Sequence, residues 1–233
     1  MRPELAEVAG EGPSPGVPWW GVLSSAAAPV LLIGGWTVAA SLQHDHFDPV
    51  TGTISALAAY GATDRWVMTL ALAGLGVCHL TTSLALRPAA LPGRLLLMAG
   101  GVATLLVAAN PLPADGGSSL PHGLAAGVGF VALATWPACG WRRGQAVPGS
   151  LRPAVCAGAA VGLVGLLGWF AAELWGGGGQ IGLAERVVAG AEAIWPLAVV
   201  LTVVGGRVVG RPRRRPPRRR PPRRRTEPGR ARV

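Results

Sequence analysis

The sequence predicts an all-α fold: a polytopic transmembrane bundle of six helices with both the N- and the C-terminus in the cytoplasm. Three observations carry that expectation. Half of the 233 residues are hydrophobic while 14% are charged, against roughly 25% in a soluble domain. The chain divides into six apolar runs of about the 17–25 residues that a membrane crossing needs. Its arginines gather on alternate connections between those runs, as the positive-inside rule requires. The apolar surplus is Ala, Val, Leu and Gly rather than aromatic, a mixture that lets helix backbones approach closely in lipid.

Taken in order, residues 1–18 read as a disordered leader. They carry Glu4, Glu7 and Glu11 against one arginine, with prolines at 3, 13, 15 and 18, whereas a secretory leader begins basic and has a shorter apolar core. The spans are expected near 19–43, 66–86, 93–109, 121–141, 153–175 and 184–206, giving a transmembrane domain of residues 19–206. Breakers separate them: Asp48-Pro49, Arg87-Pro88 with Pro92-Gly93, Pro111 and Pro113, Pro148-Gly149, and the four glycines 176–179. Pro29, Pro137 and Pro196 fall inside spans, where each removes a backbone donor and favours a kink. The connection 44–65 is long for a bundle. Asp48 there reads as an N-cap with Pro49 at the first helical position. Ile54, Leu57 and Ala58 then share a face, so 51–60 is expected to form a short interfacial helix folded over the bundle.

The formal charge of +10 belongs to the C-terminal tail. Of 21 basic residues, all arginine, 13 lie at or beyond Arg207. With the N-terminus inside, the cytoplasmic side holds 19 arginines and the outer side only Arg65 and Arg186; without the tail the ratio is 6 to 2. Trp19, Trp20, Trp66, Trp141 and Trp175 fall at span ends, where headgroups accept their amphipathic rings. Trp36, Trp136, Trp169 and Trp195 are expected between helices. Residues 207–233 read as a disordered cytoplasmic tail. Their Arg-Arg-Arg-Pro-Pro repeat across 213–225 is too proline-rich for a helix and suits an extended polyproline form. Such a cluster is drawn to anionic lipid headgroups. Membrane lipids are thus the expected partners, and no folded or aromatic platform points to a specific nucleic acid. An all-arginine basic set beside abundant Ala, Gly and Pro fits a bacterial cytoplasmic membrane protein from a high-GC genome. Cys78, Cys139 and Cys156 each sit in an apolar run without the spacing of a disulfide framework or zinc site.

The outer connections hold the unusual chemistry. Asp48, Ser55, Asp64, Arg65, His122, Glu185, Arg186 and Glu192 form the candidate ligand-binding set. Glu185 and Glu192 are seven residues apart and lie on one helical face, roughly 10 Å along the axis. Carboxylates at that depth need a partner or a wet cavity. Arg65 and Arg186 are the nearest cations, and an ion-paired clasp between Asp64-Arg65 and Glu185-Arg186-Glu192 is expected. Sharper chemistry fits less well. His44, Asp45 and His46, joined by His122, could ligate a metal, but their spacing matches no zinc signature. Ser118 or Ser119 with His122 lacks a nucleophile elbow, and Ser119 suits an N-cap ahead of Pro121. His79 and His122 lie at different depths, which argues against haem, and His79 is expected to hydrogen-bond between helices. The glycines 176–179 lack the Lys-Ser/Thr of a phosphate loop. No catalytic residue, metal or cofactor is assigned.

One pattern resembles a known family. Asp48-Pro49, Ile54-Ser55-Ala56-Leu57, Gly61-Ala62 and Trp66-Val67-Met68, followed by a glycine-rich second span, are similar to the bacterial family called domain of unknown function 998. Gly182-Leu183-Ala184-Glu185-Arg186 with Trp195 nine residues on, and His122 at the mouth of the fourth span, resemble that family too. The resemblance covers roughly residues 20–206. It implies a six-helix inner-membrane protein of unestablished activity; where the family shows an acidic residue after Ile-Ser, this chain has Ala56. The function expected from these readings is binding, or helping to move, a small or lipid-like ligand through an outward-facing polar vestibule. The alternatives are a membrane-embedded enzyme, with or without a metal, using the outer His, Asp and Glu residues, or a membrane scaffold or assembly factor.

Overall fold

The structure is a computed structural model that describes residues 16–44, 47–115, 117, 119–145 and 147–209, with the side chains of 207–209 left aside. Seven α-helices occur among the described residues, with no strand: α1 Trp19–Ser41, α2 Ile54–Leu57, α3 Trp66–Ala85, α4 Leu91–Ala109, α5 Leu120–Gly140, α6 Pro153–Gly176 and α7 Ile181–Val209. All except α2 are long and apolar enough to cross a membrane. The chain is thus an all-helical, multi-pass bundle. The observed spans begin and end within a few residues of the expected ones, and the last starts earliest, at Ile181 rather than near 184.

The long helices pack in chain order as a ring. α1 lies on α3, α3 on α4, α4 on α5, α5 on α6, α6 on α7, and α7 returns to α1. Small residues permit the closest approaches, as lipid-embedded packing requires. A Cβ on Gly76 would meet the Gly101 carbonyl oxygen at 2.8 Å, and one on Gly93 would meet the Trp136 carbonyl oxygen at 2.8 Å. Ser24 of α1 and Thr82 of α3 add a buried hydroxyl–hydroxyl bond of 2.8 Å. Pro29, Pro137 and Pro196 all sit inside continuous helices. The ring has a side where α1 begins and α7 ends, the terminal side, and an opposite α2 side. Arginines on the terminal side also hold helix ends and connections: Arg94 caps α3, donating to the Ser83 and Leu84 carbonyls of its last turn, and Arg142 donates to the Ala89 carbonyl in the α3–α4 connection.

Two apolar cores stack along the bundle. One, on the α2 side, gathers Ala28, Leu32, Ile54, Leu57, Ala58, Met68 and Leu72. The other, towards the terminal side, gathers Leu86, Leu97, Leu133, Trp136, Leu151 and Val199. Ile54, Leu57 and Ala58 are buried as their shared face anticipates. Their helix is shorter than the expected 51–60, and its N-cap is Thr53, whose hydroxyl accepts from Ala56 N. Asp48 instead closes the preceding turn, accepting from Val50 N at 2.9 Å and from Thr51 Oγ1 at 2.8 Å. The same Asp-Pro local chemistry serves a turn here because the helix starts five residues later. Trp19, Trp66 and Trp175 project outward at helix ends, while Trp136 is buried.

Candidate functional site

Glu185 lies one turn into α7 and is 4% exposed. Its two oxygens reach across to α2. Ile54 N–H donates to Oε2, and the Ser55 hydroxyl hydrogen-bonds Oε1 at 3.1 Å. Ser55 Oγ also stands 3.1 Å from Nε2 of His122, in the first turn of α5. The other ring nitrogen, Nδ1, donates to the backbone carbonyl of Asn110 at 2.8 Å. Ser119 caps α5 by accepting from His122 N, as the sequence suggested. α2, α5 and α7 therefore meet through one continuous chain of hydrogen bonds.

Arg186 points elsewhere, because consecutive helical residues face about 100° apart. Its Nη1 donates to the carbonyls of Pro49 at 2.8 Å, Gly52 at 2.6 Å and Gly182 at 3.0 Å. Its guanidinium carbon lies 5.9 Å from the Trp36 ring centre and 5.6 Å from that of Phe47, within cation–π range. Leu183 N–H donates to Val50 O at 3.0 Å. Gly182 is needed beside this grip, since a Cβ there would run into the Gly52 carbonyl. Arg186 thereby ties the α1–α3 connection to the start of α7.

Beneath α2 lies a cavity of about 70 Å³, lined from α1, α2, α3, α4, α5 and α7 and touching both cores. Its polar lining is Ser55, His79, Thr104, Glu185 and Glu192. Thr104 satisfies itself on the Gly100 carbonyl. His79 and Glu192 are each 1% exposed, yet neither ring nitrogen of His79, nor Oε1 of Glu192, has a hydrogen-bond partner among the described residues. At 1.5 Å per residue, Glu192 is roughly 16 Å from the start of α7 and His79 roughly 20 Å from the start of α3. The two face one space at similar depth.

The structure redistributes the candidate residues. Ser55, His122, Glu185 and Glu192 converge on the cavity or its rim. Asp64 and Arg65 do not: Asp64 accepts from Trp66 Nε1 at 3.1 Å, and Arg65 stacks 4.7 Å over Tyr60. Asp48 stays on the loop that Arg186 grips. The expected clasp between Asp64-Arg65 and the α7 charges is replaced by contacts between α7 and the α2 loop. The hydrogen bond expected of His79 between helices does not occur among the described residues; His79 lines the cavity instead. His44 is exposed, and Asp45 and His46 fall outside the described residues, as does the Arg-Pro repeat of the tail. Among the described residues no three His, Cys, Asp or Glu side chains gather at metal-binding distances. His79 was legible as an ionisable residue inside an apolar run, which is a functional signal by default; that it lines one cavity with Glu192 was not.

No curated protein and no solved structure matches the chain. One family model, described as protein of unknown function (DUF998), matches residues 25–202, from the first turns of α1 to the last turns of α7. That match takes in the α2 loop, the cavity and every residue of the hydrogen-bond chain, and the protein is a member of the DUF998 family.

Proposed function

We propose that this chain binds, and helps to move, a small cationic or hydrogen-bond-donating ligand in the cavity beneath α2. The carrying observation is the pair of buried residues lining that space, Glu192 and His79: Oε1 of the one and both ring nitrogens of the other have no hydrogen-bond partner among the described residues. Leaving such atoms unmet costs about 1–3 kcal/mol each, and more in a bilayer interior. A ligand bearing N–H groups or a positive charge offsets that cost. Volume favours the small over the lipid-like ligand: about 70 Å³ holds a few water-sized groups, whereas drug-sized ligands occupy roughly 300–1,000 Å³. The arginine distribution favours entry from outside, with both termini in the cytoplasm of a bacterial cell.

The test uses the purified full chain in detergent, with thermal unfolding followed in ammonium, methylammonium, sodium and potassium salts of one anion. At least one cation is expected to raise Tm in a saturable way, because a ligand bound only by the folded state stabilises it. Glu192→Gln should abolish the effect and Asp64→Asn should leave it. Stabilisation that survives Glu192→Gln, or none from any of the four, would sink the reading.

A membrane-embedded enzyme has one observation in its favour, the 3.1 Å approach of His122 Nε2 to Ser55 Oγ, which suits a nucleophile and its base. Acyl transfer also needs N–H donors aimed at a developing oxyanion. The neighbouring Ile54 N–H is already given to Glu185, which makes binding the better supported reading. Covalent labelling of Ser55 by a fluorophosphonate, lost in His122→Gln, would reverse that preference.

A further inference from the structure

We propose that His122, Ser55 and Glu185 form a proton relay, in which one proton is shared between the imidazole and the carboxyl through the serine hydroxyl. As a route to the cavity it rests on the small-ligand reading. As a relay it stands on these three side chains alone.

The argument is a count of protons against contacts. A backbone carbonyl only accepts, so the 2.8 Å contact from His122 Nδ1 to Asn110 O puts a hydrogen on Nδ1. Ser55 has one hydroxyl hydrogen and two neighbours at 3.1 Å, His122 Nε2 and Glu185 Oε1. With neutral imidazole and ionised carboxylate, both neighbours are acceptors, and one contact lacks a hydrogen. One additional proton satisfies the whole chain, and it does so in two ways. In the first, the imidazolium donates from Nε2 to Ser55 Oγ, whose hydroxyl donates to the carboxylate. In the second, the Glu185 carboxyl donates from Oε1 to Ser55 Oγ, whose hydroxyl donates to Nε2.

Exchange between them breaks the Nε2–H and the old Oγ–H bonds while forming a new Oγ–H and an Oε1–H bond. A proton is moved from His122 to Glu185 with no change in total charge. The Ile54 N–H holds Oε2 in both states, so the transferred proton has one landing point. His122 sits in the first turn of α5 and Glu185 one turn into α7, where it lines the cavity, so the relay runs across the bundle from α5 through α2 to the cavity wall on α7.

The surrounding charges are few. Arg186, adjacent to Glu185, acts on its charge, and Asp48 acts on Arg186. Glu192, two turns further along the same face of α7, and His79 of α3 line the same cavity as Glu185. α1 carries no titratable side chain, and α4 carries only Arg94, at its opposite end.

Infrared spectroscopy of the full chain over a pH series reads the C=O stretch of a protonated carboxyl, assigned to Glu185 by its loss in Glu185→Gln. His122→Gln is expected to shift the apparent proton affinity of that band about tenfold or more, the signature of two groups titrating as a pair. The same shift should appear in a Ser55→Thr background, which keeps the hydroxyl, and shrink to less than about twofold in Ser55→Ala. An equal shift in all three backgrounds would mean interaction through space without the hydroxyl, and no shift would mean no shared proton; either overturns the relay. Should His122→Gln fail to fold, nitrogen NMR of the wild-type ring decides. Nδ1 should stay protonated while Nε2 gains or loses its proton with the Glu185 band, and independent titration would refute the proposal. The cation test on Glu192 uses neither His122 nor Ser55, so each proposal can fail while the other stands.

Discussion

Arg186 gives three hydrogen bonds from one nitrogen, two to the loop ahead of α2 and one to Gly182 a turn back in α7, and is flanked by the Trp36 and Phe47 rings. A hydrogen bond from a charged donor contributes about 1.5–3 kcal/mol, and water recovers part of that at a half-exposed site. Arg186→Ala should therefore destabilise the detergent-solubilised protein by about 2–3 kcal/mol. Arg186→Lys should fall between, because an ammonium keeps the charge but not the planar, stacking fork. A further Glu192→Ala change should rescue neither, since Arg186 bonds the carbonyls of Pro49, Gly52 and Gly182 and not Glu192; recovery of Tm in that double variant would show a coupling that the geometry lacks. Glu192 itself is a different case. Its buried carboxyl is incompletely bonded, and replacing such a group with an apolar side chain of similar size is often neutral or stabilising. Glu192→Leu is expected to match or exceed the wild-type Tm while losing the cation response. A variant that unfolds would instead make Glu192 a structural residue.

α2 is one turn long, too short to persist alone, and owes its place to the contacts beneath and beside it. Thr53→Ala, which removes the N-cap, should cost about 1 kcal/mol. Gly182→Ala should cost more, because the added Cβ meets backbone at Gly52 rather than a flexible side chain; a smaller Tm loss than that of Thr53→Ala would show that the loop yields easily. These elements also show what was legible before the structure. The six spans were, since some twenty apolar residues between Pro, Gly and Arg breakers have few other interpretations. The buried face of α2 was too, because it needs only local periodicity. The cap was misplaced: Asp-Pro serves turns and helix starts alike, and nothing local separates them. The partners of Ser55 lay beyond sequence reasoning altogether. His122 is 67 residues away and Glu185 is 130, and only the packing of α5 and α7 against α2 brings them together. Adjacent charges also mislead, for Glu185 and Arg186 leave the helix in directions that serve different neighbours.

The ring of six long helices makes every polar residue of the site depend on one global property, the orientation of the bundle in its membrane. The proposed orientation rests on arginines in the short connections, so the 13 at or beyond Arg207 are redundant for it. Deleting residues 211–233 should leave insertion and Tm unchanged, while the isolated tail peptide should bind anionic vesicles and release as salt rises. Binding to neutral vesicles of the same strength would remove the lipid role of the tail. Reporter fusions test the orientation itself. A fusion after Asp115, in the connection that meets the α2–α3 connection through the Tyr60–Leu112 backbone bond, should report the exterior. One after Gln145, in the connection where Arg142 bonds the Ala89 carbonyl, should report the cytoplasm. The terminal-side arginines bear on this result twice over. Besides the insertion bias proposed for them, Arg94 caps α3 and Arg142 ties down the α3–α4 connection, so reversing the bundle by moving charges would also disturb its packing. Arg87→Ala with Arg143→Ala, neither of which the structure uses as such a cap, is then the cleaner probe: two of the six non-tail inner arginines are removed, and the outer count of two is still exceeded. The fusions should keep their sides in that variant. A cytoplasmic report after Asp115 in the wild type would place α2, His122 and the cavity mouth on the inner face, and the proposed ligand would then enter from the cell interior through the same residues.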